Sequence, residues 1–181
     1  MGVLALALNV LWTIVPIGSS SARADEEQRS VIIAGFLYNF AQFATWSRLP
    51  STTDPIDFCI EQGTVTSAVF DDWDNLYIRK RPLWVHEIKS PPILKELAGC
   101  DLAFVSSSLA SQEELLTLTN QSQILLVSDS PGFAASGGHV ELFLSGGKFR
   151  FRVNLDSLGH SGVKLSSQVL RLAEIVSGDR K

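Results

Sequence analysis

Hydrophobic positions between residues 26 and 46 recur at intervals of three and four, which is the spacing of one face of an α-helix. Pro50 follows this stretch and cannot continue a helix. The pattern therefore predicts a long, largely buried helix that ends before Pro50. Its apolar stripe consists of Ile33, Leu37, Phe40 and Ala44, widened by Ile32, Phe36 and Phe43.

Short, uninterrupted apolar runs follow this helix and alternate with helical patterns. The runs predict strands at residues 56–60, 83–88, 102–105 and 124–127, and the patterns between them predict helices at 65–76, 92–98 and 111–119. Continuous apolar strands are typical of parallel sheets that are covered on both faces. The pattern therefore predicts a layered α/β/α domain with a mainly parallel central sheet.

The section after Gly137-Gly138 alternates between apolar and polar residues, and Gly146-Gly147 stands between its two halves. Two glycines between alternating stretches indicate a two-residue β-hairpin. Each face of the hairpin is then chemically consistent, which fixes the register. The predicted pairs are Leu144 with Phe149, Leu142 with Phe151, Phe143 with Arg150 and Glu141 with Arg152. Residues 164–176 predict a final amphipathic helix.

Residues 1–24 differ in composition from the rest of the chain, since they contain no acid and a single base, Arg23. Their apolar run at residues 2–18 is shorter than the roughly 20 residues that a membrane-spanning helix needs. Ala22-Arg23-Ala24 follows as an A-x-A motif, before the acidic start at Asp25. This order predicts a signal peptide over residues 1–24, cleaved after Ala24, and a single domain over residues 25–181. An uncleaved membrane anchor is the alternative, because no Lys or Arg precedes the run.

Composition narrows the classes of function. Lys and Arg number 15 against 19 Asp and Glu, a formal net charge of −4, which argues against nucleic acid or an anionic membrane surface as the partner. Two cysteines and three scattered histidines leave no set of ligands with metal spacing. The G-x-S-x-G, Walker, G-x-G-x-x-G and H-E-x-x-H motifs are absent. The sequence thus predicts neither an enzyme nor a bound metal or cofactor.

Export would place Cys59 and Cys100 in an oxidising compartment, where one disulfide can form. The closed loop of about 40 residues would contribute roughly 4 kcal/mol in the chain-entropy model. Two buried free thiols are the alternative, because the sequence does not show whether the Cα atoms come within bridging range.

The loop after the predicted strand 124–127 is a candidate ligand site, because open α/β sheets bind ligands at the carboxyl ends of their strands. Its candidate residues are Ser128, Asp129, Gly132 and Phe133. The alternative is a turn in which Asp129 caps backbone donors and Pro131-Gly132 sets the bend.

The predicted first helix has more aromatic residues than one buried face needs. Either the helix is sandwiched inside the domain, or part of its surface binds a partner protein. The candidate partner surface consists of Phe36, Tyr38, Asn39, Phe43 and Trp46.

Residues 36–46 resemble the F-L-Y-N-F-x-x-F-x-x-W signature of YfiR-like periplasmic proteins, and the resemblance extends over nearly all of residues 25–181. The further matching features are Cys59, Gly99-Cys100-Asp101, Ser128-Asp129, Pro131-Gly132-Phe133, Gly137-Gly138, the Gly146-Gly147 hairpin, Phe151 with Asn154, and Ser166-Ser167.

The resemblance implies a layered α/β domain that is often dimeric. It also implies a secreted regulator that binds the periplasmic sensor part of an inner-membrane diguanylate cyclase and holds it inactive, which lowers cyclic-di-GMP and disfavours biofilm. Some relatives have a second cysteine pair near the hairpin, which this chain lacks, so any redox sensitivity rests on Cys59 and Cys100. A periplasmic receptor for a small ligand, bound by the loop at residues 128–133, is the alternative function.

Overall fold

A computed structural model of the chain describes residues 19–47, 53–71, 73–92, 94–105 and 123–177. The apolar run at residues 2–18 and the predicted helix at residues 111–119 lie outside the described residues.

The described part of the chain starts with a long helix and continues with strands and short helices. The helices are α1 (Ser19–Phe43), α2 (Leu94–Leu97), α3 (Leu155–His160) and α4 (Ser167–Leu170). The strands are β1 (Ala44–Trp46), β2 (Ile56–Glu61), β3 (Tyr77–Ile78), β4 (Arg81–Ile88), β5 (Leu102–Val105), β6 (Leu125–Ser128), β7 (Val140–Ser145), β8 (Lys148–Asn154), β9 (Val163–Leu165) and β10 (Glu174–Val176). Two 3₁₀ turns, Ser67–Phe70 and Trp73–Asn75, lie between β2 and β3.

The main sheet has eight strands in the order β10-β8-β7-β6-β5-β2-β4-β3. All neighbouring strands are parallel except β7 with β8 and β3 with β4. This arrangement confirms the predicted mixed α/β fold with a mainly parallel sheet. The central order β4-β2-β5-β6-β7 reverses direction between β2 and β5, which is the switch point of a doubly wound sheet.

Helix α1 covers one face of the sheet. Its predicted stripe is buried, with Ile33, Leu37 and Phe40 packed in the same cluster as Phe58 of β2 and Phe104 of β5. The helix ends at residue 43, three residues earlier than predicted, because residues 44–46 pair with β9 in a separate antiparallel sheet. Cys59 and Leu126 belong to a second apolar cluster. Their strands alternate between the two clusters, so the sheet is buried on both faces.

The C-terminal hairpin forms in the predicted register, with all four predicted residue pairs present. Gly146 and Gly147 have φ values of 59° and 72°, and positive φ at both central positions is what a two-residue type I′ turn requires. On the outer face, the Arg152 Nη1 group donates to the buried Glu141 carboxylate at 2.9 Å. The Arg152 guanidinium also lies 3.7 Å from the centroid of the Phe143 ring.

Two helical predictions are wrong. Residues 164–176 divide into the end of β9, the short helix α4 and the edge strand β10, because β10 pairs in parallel with β8 and Arg152 binds Glu174 at 3.1 Å. Within the predicted helix at 65–76, the described residues Ser67–Phe70 and Trp73–Asn75 form the two 3₁₀ turns, and the Thr66 N–H donates to the Ser30 hydroxyl at 3.0 Å instead of starting a helix. Short apolar runs do not distinguish strand from helix by periodicity alone.

His139 is fully buried just before β7, and its Nδ1 accepts a hydrogen bond from the Leu126 N–H at 3.1 Å. Burial lowers the pKa of His139 from 6.5 to about 4. The unfolded chain therefore binds a proton near pH 6.5 that the folded chain takes up only near pH 4. The contribution of His139 to the free energy of unfolding is therefore at its full value above pH 6.5 and is lost as the pH falls toward 4.

We expect replacement of His139 by Asn to flatten the acid dependence of stability, because the amide oxygen accepts the same N–H but does not titrate. The expected change in slope between pH 6.5 and 4 is about 1.4 kcal/mol per pH unit. Urea unfolding at pH 7, 6 and 5 measures it, with the exposed His160→Asn as the matched control. If the free energy of unfolding had the same slope against pH in wild type and His139→Asn, the acid dependence would not come from His139.

Candidate partner-binding surface

The C-terminal half of α1 has an uncovered neutral face. Residues 30–43 contain no charged side chain. Val31, Gly35, Asn39 and Phe43 follow one another at intervals of four, so they lie along one side of the helix. Val31 is 56% exposed and Phe43 is 39% exposed, while a Cβ atom at Gly35 would meet no heavy atom within 4 Å. Among the residues that the structure describes, this side of α1 therefore has no packing partner that accounts for its apolar character.

An apolar groove of about 270 Å³ lies beside this face, between α1 and the C-terminal segment. Leu172, which follows α4 on its rim, is 77% exposed. Exposed large apolar residues around a concave apolar surface are typical of protein-binding sites. The groove is lined by Phe36, Asn39, Phe40, Phe43, Phe151, Gln168, Val169 and Leu172.

Aromatic packing holds the floor of the groove. The Phe36 ring centroid lies 5.8 Å from that of Phe40, 5.9 Å from that of Phe151 and 6.4 Å from that of Phe149. Phe40 and Phe151 are 5.0 Å apart in an edge-to-face arrangement. Such ring pairs add to the stability of the site beyond area burial, so the groove is preformed on α1 and β8.

Charges of both signs lie close in sequence or strand pairing to the groove residues Phe43 and Leu172. Lys164 of β9 pairs with Thr45, two residues after Phe43, while Arg171 precedes Leu172 and Glu174 follows it by two residues. Lys164 and Arg171 are exposed, and within the described ranges neither forms an ion pair, whereas Glu174 binds Arg152. The described residues that line the groove include no charged side chain, so the groove itself is apolar and neutral.

The five residues of the predicted partner surface do not form one surface. Phe36, Asn39 and Phe43 line the groove, and the Asn39 amide donates to the Gly35 carbonyl at 2.7 Å. Tyr38 instead lies toward β3, where its hydroxyl donates to the Tyr77 carbonyl at 3.2 Å.

Trp46 belongs to the core, which corrects its placement on the predicted surface. Its side chain is only 7% exposed, and its Nε1–H donates to the Asp101 carbonyl at 2.8 Å. Its aromatic character therefore serves packing between β1 and the start of β5.

The candidate ligand loop at residues 128–133 is internally satisfied. The buried Ser128 hydroxyl accepts from the Ser130 N–H at 3.1 Å, and Asp129 forms an ion pair with Arg29 of α1. Gly132 adopts a left-handed φ of 81°. Phe133 is buried, and its ring occupies the space that a Cβ at Gly138 would need. These contacts favour the turn interpretation over the ligand site.

Sequence reasoning missed Arg29, which joins three parts of the domain. Its guanidinium binds Glu26 at 3.2 Å and the Thr64 carbonyl at 3.1 Å, and it also contacts Asp129. A single basic residue on a helix gives no sequence signal for contacts with distant segments of the chain. Arg29 thus ties the N-terminal half of α1 to the segments that follow β2 and β6.

Cys59 and Cys100 form the predicted disulfide, with Cα atoms 5.8 Å apart. Cys59 lies in β2 and Cys100 immediately precedes β5, within the second apolar cluster. Phe58, the neighbour of Cys59, belongs to the cluster that contains the groove residues Phe40 and Phe151. The disulfide therefore lies on the opposite face of the sheet from the groove.

Across the described ranges, no group of three or more His, Cys, Asp or Glu side chains is placed to hold a metal ion. A helix both long and apolar enough to cross a membrane is also absent from that part of the chain.

A solved structure shares the fold. It is described as the ABC domain in complex with L-Trp from Streptococcus pneumonia, and it matches with a TM-score of 0.50 and 14% identity over 79% of this chain. This chain spans 61% of that chain's length. At this level of identity the match supports the α/β fold alone.

The family comparison covers most of the sequence. The model of the YfiR/HmsC-like family matches residues 30–174, a range that contains the aromatic signature on α1, the disulfide and the hairpin. The chain therefore belongs to the YfiR/HmsC-like family.

Proposed function

We propose that this protein is a periplasmic regulator that binds and represses the periplasmic sensor part of an inner-membrane diguanylate cyclase, and so lowers cyclic-di-GMP signalling. Membership of the YfiR/HmsC-like family supports a regulatory rather than catalytic role. The observation that carries the binding function is the preformed apolar groove between α1 and the C-terminal segment.

The groove suits an amphipathic segment of the sensor. Phe43 and Leu172 would bury apolar surface against it, at about 25 cal/mol per Å² removed from water. Arg171, which is exposed beside Leu172 and forms no ion pair among the described residues, would attract a carboxylate that flanks the inserted apolar residue. Such a charge mainly raises the association rate and fixes orientation, so we expect the partner segment to carry an acid beside its apolar residue.

Repression requires more than tight binding. A regulator shifts a cyclase toward its inactive state only by its difference in affinity for the two states. The rigid aromatic floor of Phe36, Phe40 and Phe151 would hold the sensor segment in one arrangement. Binding would therefore be selective for the sensor conformation that presents its apolar segment.

Export is part of the proposal, with cleavage after Ala24. Residues 22–24 are exposed on α1. After cleavage the helix would begin with Asp25, Glu26 and Glu27. Acidic residues in a first turn are stabilised by the unpaired backbone N–H groups there, so the processed helix would begin with a favourable turn.

Replacement of Leu172 by Asp tests the groove. We expect capture of the cyclase from solubilised inner membranes to fall at least about tenfold, because a charge replaces an exposed apolar side chain that the partner would bury. Immobilised protein, with mass spectrometry that identifies a retained diguanylate cyclase, measures the effect. The thermal unfolding midpoint should stay near that of wild type, since Leu172 is exposed.

Trp84→Asp is the matched control, because Trp84 is also exposed and lies on β4, away from the groove. It should retain cyclase as wild type does. Undiminished capture by Leu172→Asp, or capture of no cyclase by the wild-type protein, would contradict the proposal.

A further inference from the structure

A second concave site, which shares no residue with the partner groove, lies at the carboxyl ends of β2 and β4. It is a cleft of about 510 Å³, a size typical of small-molecule sites, which span roughly 300–1,000 Å³. Ile60 and Val85 of the two strands form its floor. Its size is that of a ligand site, and it lies beside the carboxyl end of β2, one of the two strands that flank the switch point of the sheet.

The wall of the cleft is also apolar. Val65 and Phe70, from the loop after β2, line it. The Phe70 ring packs edge-to-face on Trp73 with the centroids 4.9 Å apart. This contact fixes the Phe70 ring in place, which leaves a preformed apolar surface for the body of a ligand.

Among the residues that the structure describes, two carboxylates and no cation line the cleft. The polar lining consists of Asp71, Glu87 and Ser67. Asp71 is exposed, and its carboxylate has no partner among the residues that the structure describes; Glu87 has only a long contact of 3.4 Å from Gln62. A cation bound in the cleft would be attracted by both carboxylates.

The chemistry of the lining selects the kind of cation. A metal ion is disfavoured, because two carboxylates over an apolar floor offer too few oxygen ligands. An anion is disfavoured by charge. We propose that this cleft binds a small organic cation, with its apolar body against Val65, Phe70 and Val85 and its ammonium group between Asp71 and Glu87. This site is independent of the proposed repressor function.

Three matched probes test the proposal on the purified protein: 2-phenylethylamine, 2-phenylethanol and 3-phenylpropionate. Titration followed by NMR chemical shifts should show the amine binding at least about tenfold more tightly than the alcohol, because charge-assisted contacts are added. 3-Phenylpropionate should bind weakest. Added salt should weaken the binding of 2-phenylethylamine alone, since its ion pairs are partly exposed to solvent.

Asp71→Asn and Glu87→Gln should each weaken amine binding about three- to tenfold without changing the unfolding midpoint. Asp156→Asn, an exposed acid on α3, is the control and should bind as wild type does. Three results would overturn the proposal. The first is no binding of the amine up to about 10 mM, a concentration that nearly saturates a site with a millimolar Kd. The others are equal binding of amine and alcohol, and undiminished amine binding by the variant that carries both Asp71→Asn and Glu87→Gln.

Discussion

Replacing both Cys59 and Cys100 with Ala will lower the free energy of unfolding by about 4 kcal/mol in the chain-entropy model. The disulfide joins residues 41 positions apart, so its loss frees a long loop in the unfolded chain. It also ties β2 to the start of β5, the two strands that flank the switch point of the sheet. A loss of this size is a large part of the 5–15 kcal/mol that stabilises typical domains.

Urea unfolding of the oxidised protein, the reduced protein and the double variant measures this contribution. The reduced protein should match the double variant, and reductant should leave the double variant unchanged. Equal midpoints for oxidised protein and double variant would show that the bridge adds no stability.

Replacing Trp46 with Ala will destabilise the protein by about 3–5 kcal/mol, as expected for removal of a large buried aromatic residue. Trp46→Phe keeps most of the ring packing and removes the Nε1–H bond. It should cost about 1–2 kcal/mol, from the lost hydrogen bond and the smaller ring, while the Asp101 carbonyl keeps its bond from the Leu125 N–H at 2.8 Å.

Phe43→Ala is the control for Trp46, since Phe43 is the aromatic residue three positions earlier and is partly exposed. Its expected cost is below about 1 kcal/mol, as for most partly exposed surface positions. Equilibrium unfolding in urea compares the three variants. A similar loss for Trp46→Ala and Phe43→Ala would contradict the division of the aromatic residues into core and surface.

The aromatic signature on α1 shows how far sequence reasoning reaches. Its spacing predicts the helix and its buried stripe, but the residues have different roles. Phe36 and Phe43 line the groove, Tyr38 bonds toward β3 and Trp46 fills the core. A helix periodicity cannot separate these roles, because the position of Trp46 depends on β1 turning away from the helix to pair with β9.

The hairpin register could be predicted because each of its faces is chemically consistent and two glycines fix the turn. The last segment could not, because its apolar spacing fits a helix as well as a short helix followed by an edge strand. Leu172 lies in that segment, and its place on the groove depends on the pairing of β10 with β8, which the apolar spacing does not indicate. Arg29 was missed because its partners lie 35 and 100 residues away.

The central claim is that the groove represses a diguanylate cyclase, and cellular cyclic-di-GMP tests it most directly. Cells without the gene would be supplied with wild type, Leu172→Asp or Trp84→Asp at equal periplasmic amounts, and cyclic-di-GMP quantified by mass spectrometry. We predict that wild type and Trp84→Asp lower cyclic-di-GMP, whereas Leu172→Asp leaves it at the level of cells without the gene. Full repression by Leu172→Asp, or unchanged cyclic-di-GMP on loss of the gene, would contradict the account.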